Sequence, residues 1–190
     1  MRLLLASKSS RRRQLLAETG LPVECVTIDV DEHLASPLPP NEVAEHLARR
    51  KAAALPKDMI CDDSVLVTAD TVVVLDGHVL GKPATRDEAV AMLHSLSGRC
   101  HTVYTGVCLR SRTDEVSFTE STKVYFHRLT DKDIDYYVDN YRPYDKAGAY
   151  GIQEWIGMVG VERIEGCYYN VMGLPVARLY EMLSSRFLSR

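Results

Sequence analysis

Apolar and polar positions along this chain fall into short blocks whose period switches between two and about 3.6 residues, as alternating strands and helices require. Arg2–Ala6 is a brief apolar run that reads as a strand, and Ser9–Glu18 reads as a helix closed by Gly20, with Pro22 beyond it. Val23–Ile28 predicts a second strand, followed by an acidic, proline-punctuated loop over Asp29–Pro40. Asn41 is the expected cap of a helix that repeats Val43, Leu47, Ala48 and Leu55 on one face. Ser64–Leu75 is a long β-rich run leading into Asp76-Gly77, a strong hairpin dipeptide. Thr85-x-x-Glu88 spells a capping box ahead of Ala89, Met92, Leu93 and Leu96, and Gly98 closes that helix. Cys100–Arg110 and a second run carrying Val116, Phe118, Val124 and Phe126 predict two long strands around a turn at Ser111–Asp114. Thr130 opens a helix with Ile134, Tyr137, Val138 and Tyr141 in register. Tyr144–Gly173 reads as glycine-rich and irregular, and a last helix from Pro175 directs Val176, Leu179, Tyr180, Leu183 and Phe187 at a core.

This alternation predicts an α/β protein, and the adjacent antiparallel pair predicts a mixed sheet. The 190 residues leave room for one compact domain or two small lobes sharing a core, and 46% hydrophobic with 26% charged residues is ordinary globular composition. The longest apolar runs, Leu3-Leu4-Leu5-Ala6 and Val72-Val73-Val74-Leu75, fall far short of the roughly 20 residues of a spanning helix. With no secretory pattern at the amino terminus either, the expectation is a cytosolic protein with no membrane partner. The five cysteines (Cys25, Cys61, Cys100, Cys108 and Cys167) form no Cys-x-x-Cys pair, so they read as small buried thiols in a reducing compartment rather than a disulfide or zinc framework. The histidines show no metal-binding spacing. A net charge of −3 speaks against a broad nucleic-acid footprint but leaves room for a local positive pocket.

Such a pocket is written into Ser7-Lys8-Ser9-Ser10-Arg11-Arg12-Arg13, where a strand ends and a helix begins with three arginines in or beside its first turn. Cations at a helix amino terminus oppose the macrodipole. Free N–H groups, serine hydroxyls and forked guanidinium groups together suit phosphate oxygens. A solvated basic helix end is the alternative. The second signal is Asp70, in Thr68-Ala69-Asp70-Thr71 within an otherwise apolar run. A carboxylate there is costly unless it meets a cation or a metal or works as a base, the alternative being a bend that turns it into water. Lys82 stands between Gly81 and Pro83, which restrict its backbone and point to a positioned ammonium group. Lys51 lies near a helix end, where a cation is favourable in any case. Glu32 lies in a carboxylate cluster able to offer oxygen ligands to Mg²⁺, although acidic loops are commonly just solvated. The glycine-rich segments 145–153 and 166–175 bring backbone close to something, and neither fits a P-loop or a dinucleotide fingerprint.

Six motifs occur in order: Ala6-Ser7-x-Ser9-x-Arg11-Arg12; Ala69-Asp70-Thr71; Gly81-Lys82-Pro83; Leu96-Ser97-Gly98-x-x-His101-x-Val103-x-Thr105-Gly106-Val107; Asp145-Lys146-Ala147-Gly148-Ala149-Tyr150-Gly151-Ile152-Gln153; and Tyr169-Asn170-Val171-x-Gly173-Leu174-Pro175. Together they resemble the Maf family of nucleoside triphosphate pyrophosphatases over nearly the whole chain. The resemblance implies an elongated mixed sheet flanked by helices, in two lobes around a central cleft, related to inosine triphosphate pyrophosphatase. It implies a divalent cation, Mg²⁺ with Mn²⁺ as the alternative, and frequent homodimers. The implied reaction cleaves a nucleoside triphosphate between the α and β phosphates. Carried over residue by residue, Asp70 matches the general base and Glu32 a metal-linked carboxylate, with Asp70 a second metal ligand. Arg12, Lys51 and Lys82 match phosphate-binding positions, and Ser7 belongs to the same substrate-binding loop. Arg11, Thr71 and Gln153 match the positions that choose the base, with the identities of the branch acting on dTTP and UTP. The chain departs from the family in having Ser10 where proline is usual, an extra Arg13, and Cys167 in place of a serine. A pyrophosphatase for modified purine nucleotides, and a non-catalytic division or nucleic-acid-binding module, are the rival readings.

Overall fold

The structure, a computed structural model, describes residues 1–34 and 36–187. β1 (Arg2–Ala6) lies between β2 (Val23–Val26) and β3 (Ser64–Leu75) and runs parallel to both, with Leu3 opposite Val23 on one side and Val65 on the other. A strand in a parallel ladder is covered on both faces, which is why Leu3-Leu4-Leu5 and Val65-Leu66-Val67 are unbroken apolar runs and all buried. β4 (His78–Leu80) folds back on β3, and the hairpin residues Asp76 and Gly77 both have positive φ (49° and 79°), the turn that matches strand twist. The sheet continues through β5 (Cys100–Arg110), β6 (Glu115–Phe126) and β7 (Val161–Glu165), in the order β2-β1-β3-β5-β6-β7, with β7 antiparallel to β6. The sheet is therefore mixed, as expected. Among the described residues no helix is long and apolar enough to cross a membrane.

The chain divides into two compact units. The first comprises Met1–Asp70, Thr105–Glu120 and the chain from Gly173 onward, and holds α1 (Ser10–Ala17), α2 (Pro40–Ala54) and α7 (Val176–Arg186). Its core sets Ala48, Ala52 and Leu55 against Leu4, Leu66 and Cys108. Gly106 lets α2 rest directly on β5: a Cβ there would lie 2.2 Å from the Glu45 nitrogen. Arg110, buried, donates to the Ala52 and Leu55 carbonyls at 2.5 and 3.3 Å, satisfying the open end of α2.

The second unit, Thr71–Tyr104 and Ser121–Met172, holds α3 (Arg86–Leu96), α4 (Asp131–Tyr141), α5 (Trp155–Gly160) and α6 (Tyr168–Met172). Leu93, Leu96, Ile134, Tyr137, Val138 and Ile156 meet Val73 and Phe126 in its core. Here His101, Phe126 and Tyr150 pack edge to face, with ring centroids 5.0 to 5.4 Å apart, and the His101 Nε2 lies 2.7 Å from the Tyr150 hydroxyl.

Several local readings are corrected. Asn41 does not cap α2: the helix begins at Pro40, whose missing N–H costs nothing at a first helical position. The box at α3 is half formed, since Thr85 accepts from the Glu88 N–H but the Glu88 carboxylate takes the Ala84 N–H instead of that of Thr85. Segment 144–173, expected to be irregular, contains α5, β7 and α6, each six residues or fewer and too short to show a period. Tyr141 and Tyr180 are exposed on their helices rather than turned to the core. The cysteines are unpaired, but Cys25, Cys61 and Cys100 are exposed; Cys108 alone is buried, its thiol pushed up to about 12 by burial.

Burial also holds His101 down at about 4, against an ordinary 6.5. The folded ring stays neutral where the unfolded chain takes up a proton. The stability this supplies is complete above about pH 6.5 and drains away as the pH falls toward 4, a loss of about 3 kcal/mol. Urea midpoints measured between pH 7 and 4 should drop accordingly, and the slope should flatten in His101→Gln. An unchanged slope in that variant would place the acid sensitivity elsewhere.

Candidate functional site

α1 opens on Ser9, whose hydroxyl accepts from the Arg12 N–H at 3.4 Å, while the Ser7 hydroxyl accepts from the Ser9 N–H at 3.2 Å. Two serines thus close the turn that a proline would have stiffened, and Ser10 sits at the first helical position. No acidic residue answers the arginines within the first turn. Arg12 instead reaches Gly173, donating from Nε to its carbonyl oxygen at 2.8 Å. Gly173 has φ 112°, a conformation that side-chain-bearing residues avoid, so the Gly173-Leu174-Pro175 motif presents a carbonyl to Arg12. Burial lowers the affinity of Arg12 for its proton, and so does neighbouring Arg11; Asp70 and Glu32 oppose them. Those four side chains and Lys51 form one electrostatic cluster within the first unit. Arg13 is exposed and stands outside it.

Lys51 is the cluster's hinge. Its Nζ lies 2.6 Å from Asp70 Oδ1 and 2.7 Å from Glu32 Oε1, and the Lys51 and Asp70 side chains are only 13% and 14% exposed. The pairing follows from two periodicities. On β3, Thr68 and Asp70 share a face; on α2, Ala48 and Lys51 lie one turn apart. Thr68 donates to the Ala48 carbonyl at 2.7 Å, so the contact between Lys51 and Asp70 falls one step further along both elements. Arg50 donates to the His33 carbonyl at 2.6 Å, and the His33 N–H bonds Asp31 Oδ1 at 2.8 Å, tying the acidic loop beside α2 and bringing Glu32 to Lys51. The alternative of Asp70 turned into water is overturned. Three cations against two carboxylates leave the cluster positive, which favours an anion.

Glu32 and Asp70 also fit a divalent cation. Their hard oxygens converge on one position, which the Lys51 ammonium fills. Among the described residues no group of three or more His, Cys, Asp or Glu side chains could hold a metal alone. Mg²⁺ is commonly held by one or two carboxylates with phosphates and water completing its shell.

Thr71, Lys82 and Gln153 belong to the second unit. Lys82 is exposed, and its neighbour Gly81 accepts from the Gly148 N–H at 3.0 Å, so two of the sequence motifs meet there. Thr71 is half-buried in β3. Gln153 is half-buried, with its Oε1 buried and lacking a hydrogen-bond partner among the described residues. Sequence reading missed Tyr137 and Glu154 beside it: the Tyr137 hydroxyl accepts from the Gly151 N–H at 3.0 Å and donates to Glu154 Oε2, and Lys146 Nζ lies 3.0 Å from Glu154 Oε1. Nothing in their spacing marks them, because Tyr137 lies 14 residues before Gly151 and 17 before Glu154.

A mixed-sheet α/β protein with a helix start, clustered guanidinium groups and converging carboxylates is of the class built to receive a polyanion. The chain belongs to the Maf family: the family's model, described as Maf-like protein, matches residues 2–186. It is 50% identical over 184 residues to a dTTP/UTP pyrophosphatase of Porphyromonas gingivalis, covering 96% of this chain and 92% of that protein. It is 42% identical over 181 residues to a dTTP/UTP pyrophosphatase of Christiangramia forsetii, covering 95% and 92%. Among solved structures it is similar to the Staphylococcus aureus Ham1 protein, with a TM-score of 0.45 and 11% identity over 66% of this chain and 72% of that one.

Proposed function

We propose that this chain hydrolyses dTTP and UTP between the α and β phosphates, releasing the monophosphate and pyrophosphate. The observation that carries the reading is the half-buried Lys51–Asp70 pair, set with Glu32 in the electrostatic surroundings of Arg12. Family membership and the activity named for the relatives support it. Arg12, Lys51 and Lys82 bind phosphate oxygens and neutralise charge that grows on the departing pyrophosphate. Asp70 accepts a proton from the water that attacks the α-phosphorus as the bond to the bridging oxygen of the β-phosphate breaks. Its Oδ1 meets Lys51. Ser7 keeps the phosphate loop in shape. Arg11, Thr71 and Gln153 select the base, the carboxamide of Gln153 donating to a ring carbonyl and accepting from N3–H. Glu32 and Asp70 are the residues that would hold Mg²⁺ or Mn²⁺, whose contribution is to neutralise triphosphate charge.

A hydrolysis panel of dTTP, UTP, CTP and purine triphosphates, with products resolved as mono- or diphosphate, tests this reading. Pyrophosphate and monophosphate from dTTP and UTP are expected. Diphosphate product, equal rates on every base, or nucleic-acid binding without hydrolysis would overturn it. Asp70→Asn should cut turnover by about 10³-fold. Nucleotide binding should hold or tighten in that variant, because a negative charge has gone. Near-normal turnover would remove Asp70 from the role of base.

The ammonium of Lys51 and a divalent cation cannot share one position. Lys51→Met should therefore tighten Mn²⁺ binding to the nucleotide-free protein by at least about tenfold, since removing a unit charge from within about 4 Å of a divalent ion is worth roughly 2–8 kcal/mol. Paramagnetic resonance of free Mn²⁺ measures this without turnover. Unchanged or weaker binding would mean that the metal is held elsewhere.

A further inference from the structure

Gly151-Ile152-Gln153-Glu154 is a hydrogen-bonded turn, closed by the Glu154 N–H donating to the Gly151 carbonyl at 3.0 Å, with Gln153 at its third position. One hydroxyl grips both ends of that turn. Tyr137, on α4 and fully buried, accepts from the Gly151 N–H at 3.0 Å and donates to the Glu154 carboxylate. Lys146 pairs with the other oxygen of Glu154 at 3.0 Å and with Asp145 at 2.8 Å, its side chain only 8% exposed. A Cβ on Gly151 would lie 2.9 Å from the Gln153 Nε2 and 3.0 Å from both Glu154 and Lys146, so the carboxamide lies close over the glycine. Ile152 within the turn and Ile156 just after it are both buried in the core.

A core of this size does not need ions for stability. Well-packed apolar residues commonly serve as well or better in place of a buried charge pair, whereas ions and hydroxyls define direction. Burial and the Glu154 bond both raise the pKa of Tyr137, keeping its hydroxyl a donor at any working pH. Gln153, meanwhile, holds a buried Oε1 with no partner among the described residues, a cost of about 1–3 kcal/mol that a ligand's N–H could recover.

We propose that Tyr137, with Glu154 and Lys146 as its charged backing, is a specificity-positioning residue: it clamps the turn that presents Gln153 to a pyrimidine base. The proposal rests on the reading that Gln153 contacts the base. Uracil offers a carbonyl and N3–H, whereas cytosine offers an amine and an unprotonated N3, so a carboxamide held at a fixed position separates them. A carboxamide on a loose turn can adjust to either.

The test is the ratio of kcat/KM for UTP over CTP in the full-length protein. Tyr137→Phe keeps the ring and its 5.0 Å stack on Tyr141 but releases both ends of the turn. The ratio should fall by about tenfold or more, mainly through KM, with monophosphate and pyrophosphate still the products. Glu154→Ala should do likewise, and it carries the same expectation if Tyr137→Phe does not fold. Glu154→Gln, which retains an oxygen for Tyr137, should stay within about threefold of the parent ratio. A merely structural role would lower the melting temperature of Tyr137→Phe and leave the ratio alone, which overturns the proposal. Gln153→Ala separates the levels. If it collapses the ratio while Tyr137→Phe and Glu154→Ala do not, the clamp is wrong and the base reading stands. If Gln153→Ala leaves the ratio unchanged, the base reading falls and the clamp with it.

Discussion

Two carboxylates converge on one ammonium, and much of the first unit is arranged so that they do. Asp70 arrives from the middle of a strand whose neighbours are apolar, Glu32 from an acidic loop, and Lys51 from the last turn of α2. Each arrival has its own support: Thr68 on the Ala48 carbonyl, Arg50 on the His33 carbonyl, and Gly106 allowing the helix to rest on backbone. Breaking a largely buried pair by removing one partner costs several kcal/mol, while an apolar replacement of both is often neutral. The pair is therefore poorly explained as a device for stability. It is well explained as a carboxylate held ready in a fixed place, with a cation that an incoming phosphate can draw toward itself.

The second unit uses the same physics at smaller reach. Its core could have been closed by aliphatic residues alone, yet it buries a tyrosine hydroxyl, a glutamate and a lysine around one four-residue turn. His101 is the contrasting case. Its ring is buried among aromatic residues and is neutral for want of a counter-charge, so it acts as a packing residue with an acid liability. Buried polar groups in the two places look alike in a sequence and differ entirely in what surrounds them.

What could be read from the chain divides along the length of the element concerned. β1, β3, β5, β6 and α3 were legible because eleven- and twelve-residue runs, or a short unbroken apolar run ended by a serine, carry enough signal. α5, β7 and α6 were not, since five or six residues hold barely one turn or one alternation, and the glycines around them masked what pattern remained. Asn41 misled because Pro40 made the start of α2 without any side-chain cap. Tyr180 misled because an aromatic residue at a helical spacing lies on the stripe's edge, where its hydroxyl reaches water. Asp70 and Arg12 were legible as unusual charges in unusual places, whereas Lys51 and Glu32 stood where such charges are ordinary and gained roles only through the family resemblance. The carbonyl of Gly173 that steadies Arg12 was not, because a backbone oxygen leaves no trace in residue type.

The placement of Asp70 on β3 rather than in a loop carries a last consequence. A strand hydrogen-bonded within a sheet holds its side chains to narrower limits than a surface connection does, which suits the role of base proposed for Asp70. The cost is that Asp70 cannot relax away from its neighbours, and its negative charge must be balanced at all times. Lys51 supplies that balance while no phosphate is near, and Arg12, steadied by Gly173, remains beside the same carboxylate. The cations around Asp70 are thus part of what allows an acid to stand in an apolar strand, and the same cations make the place attractive to a polyanion.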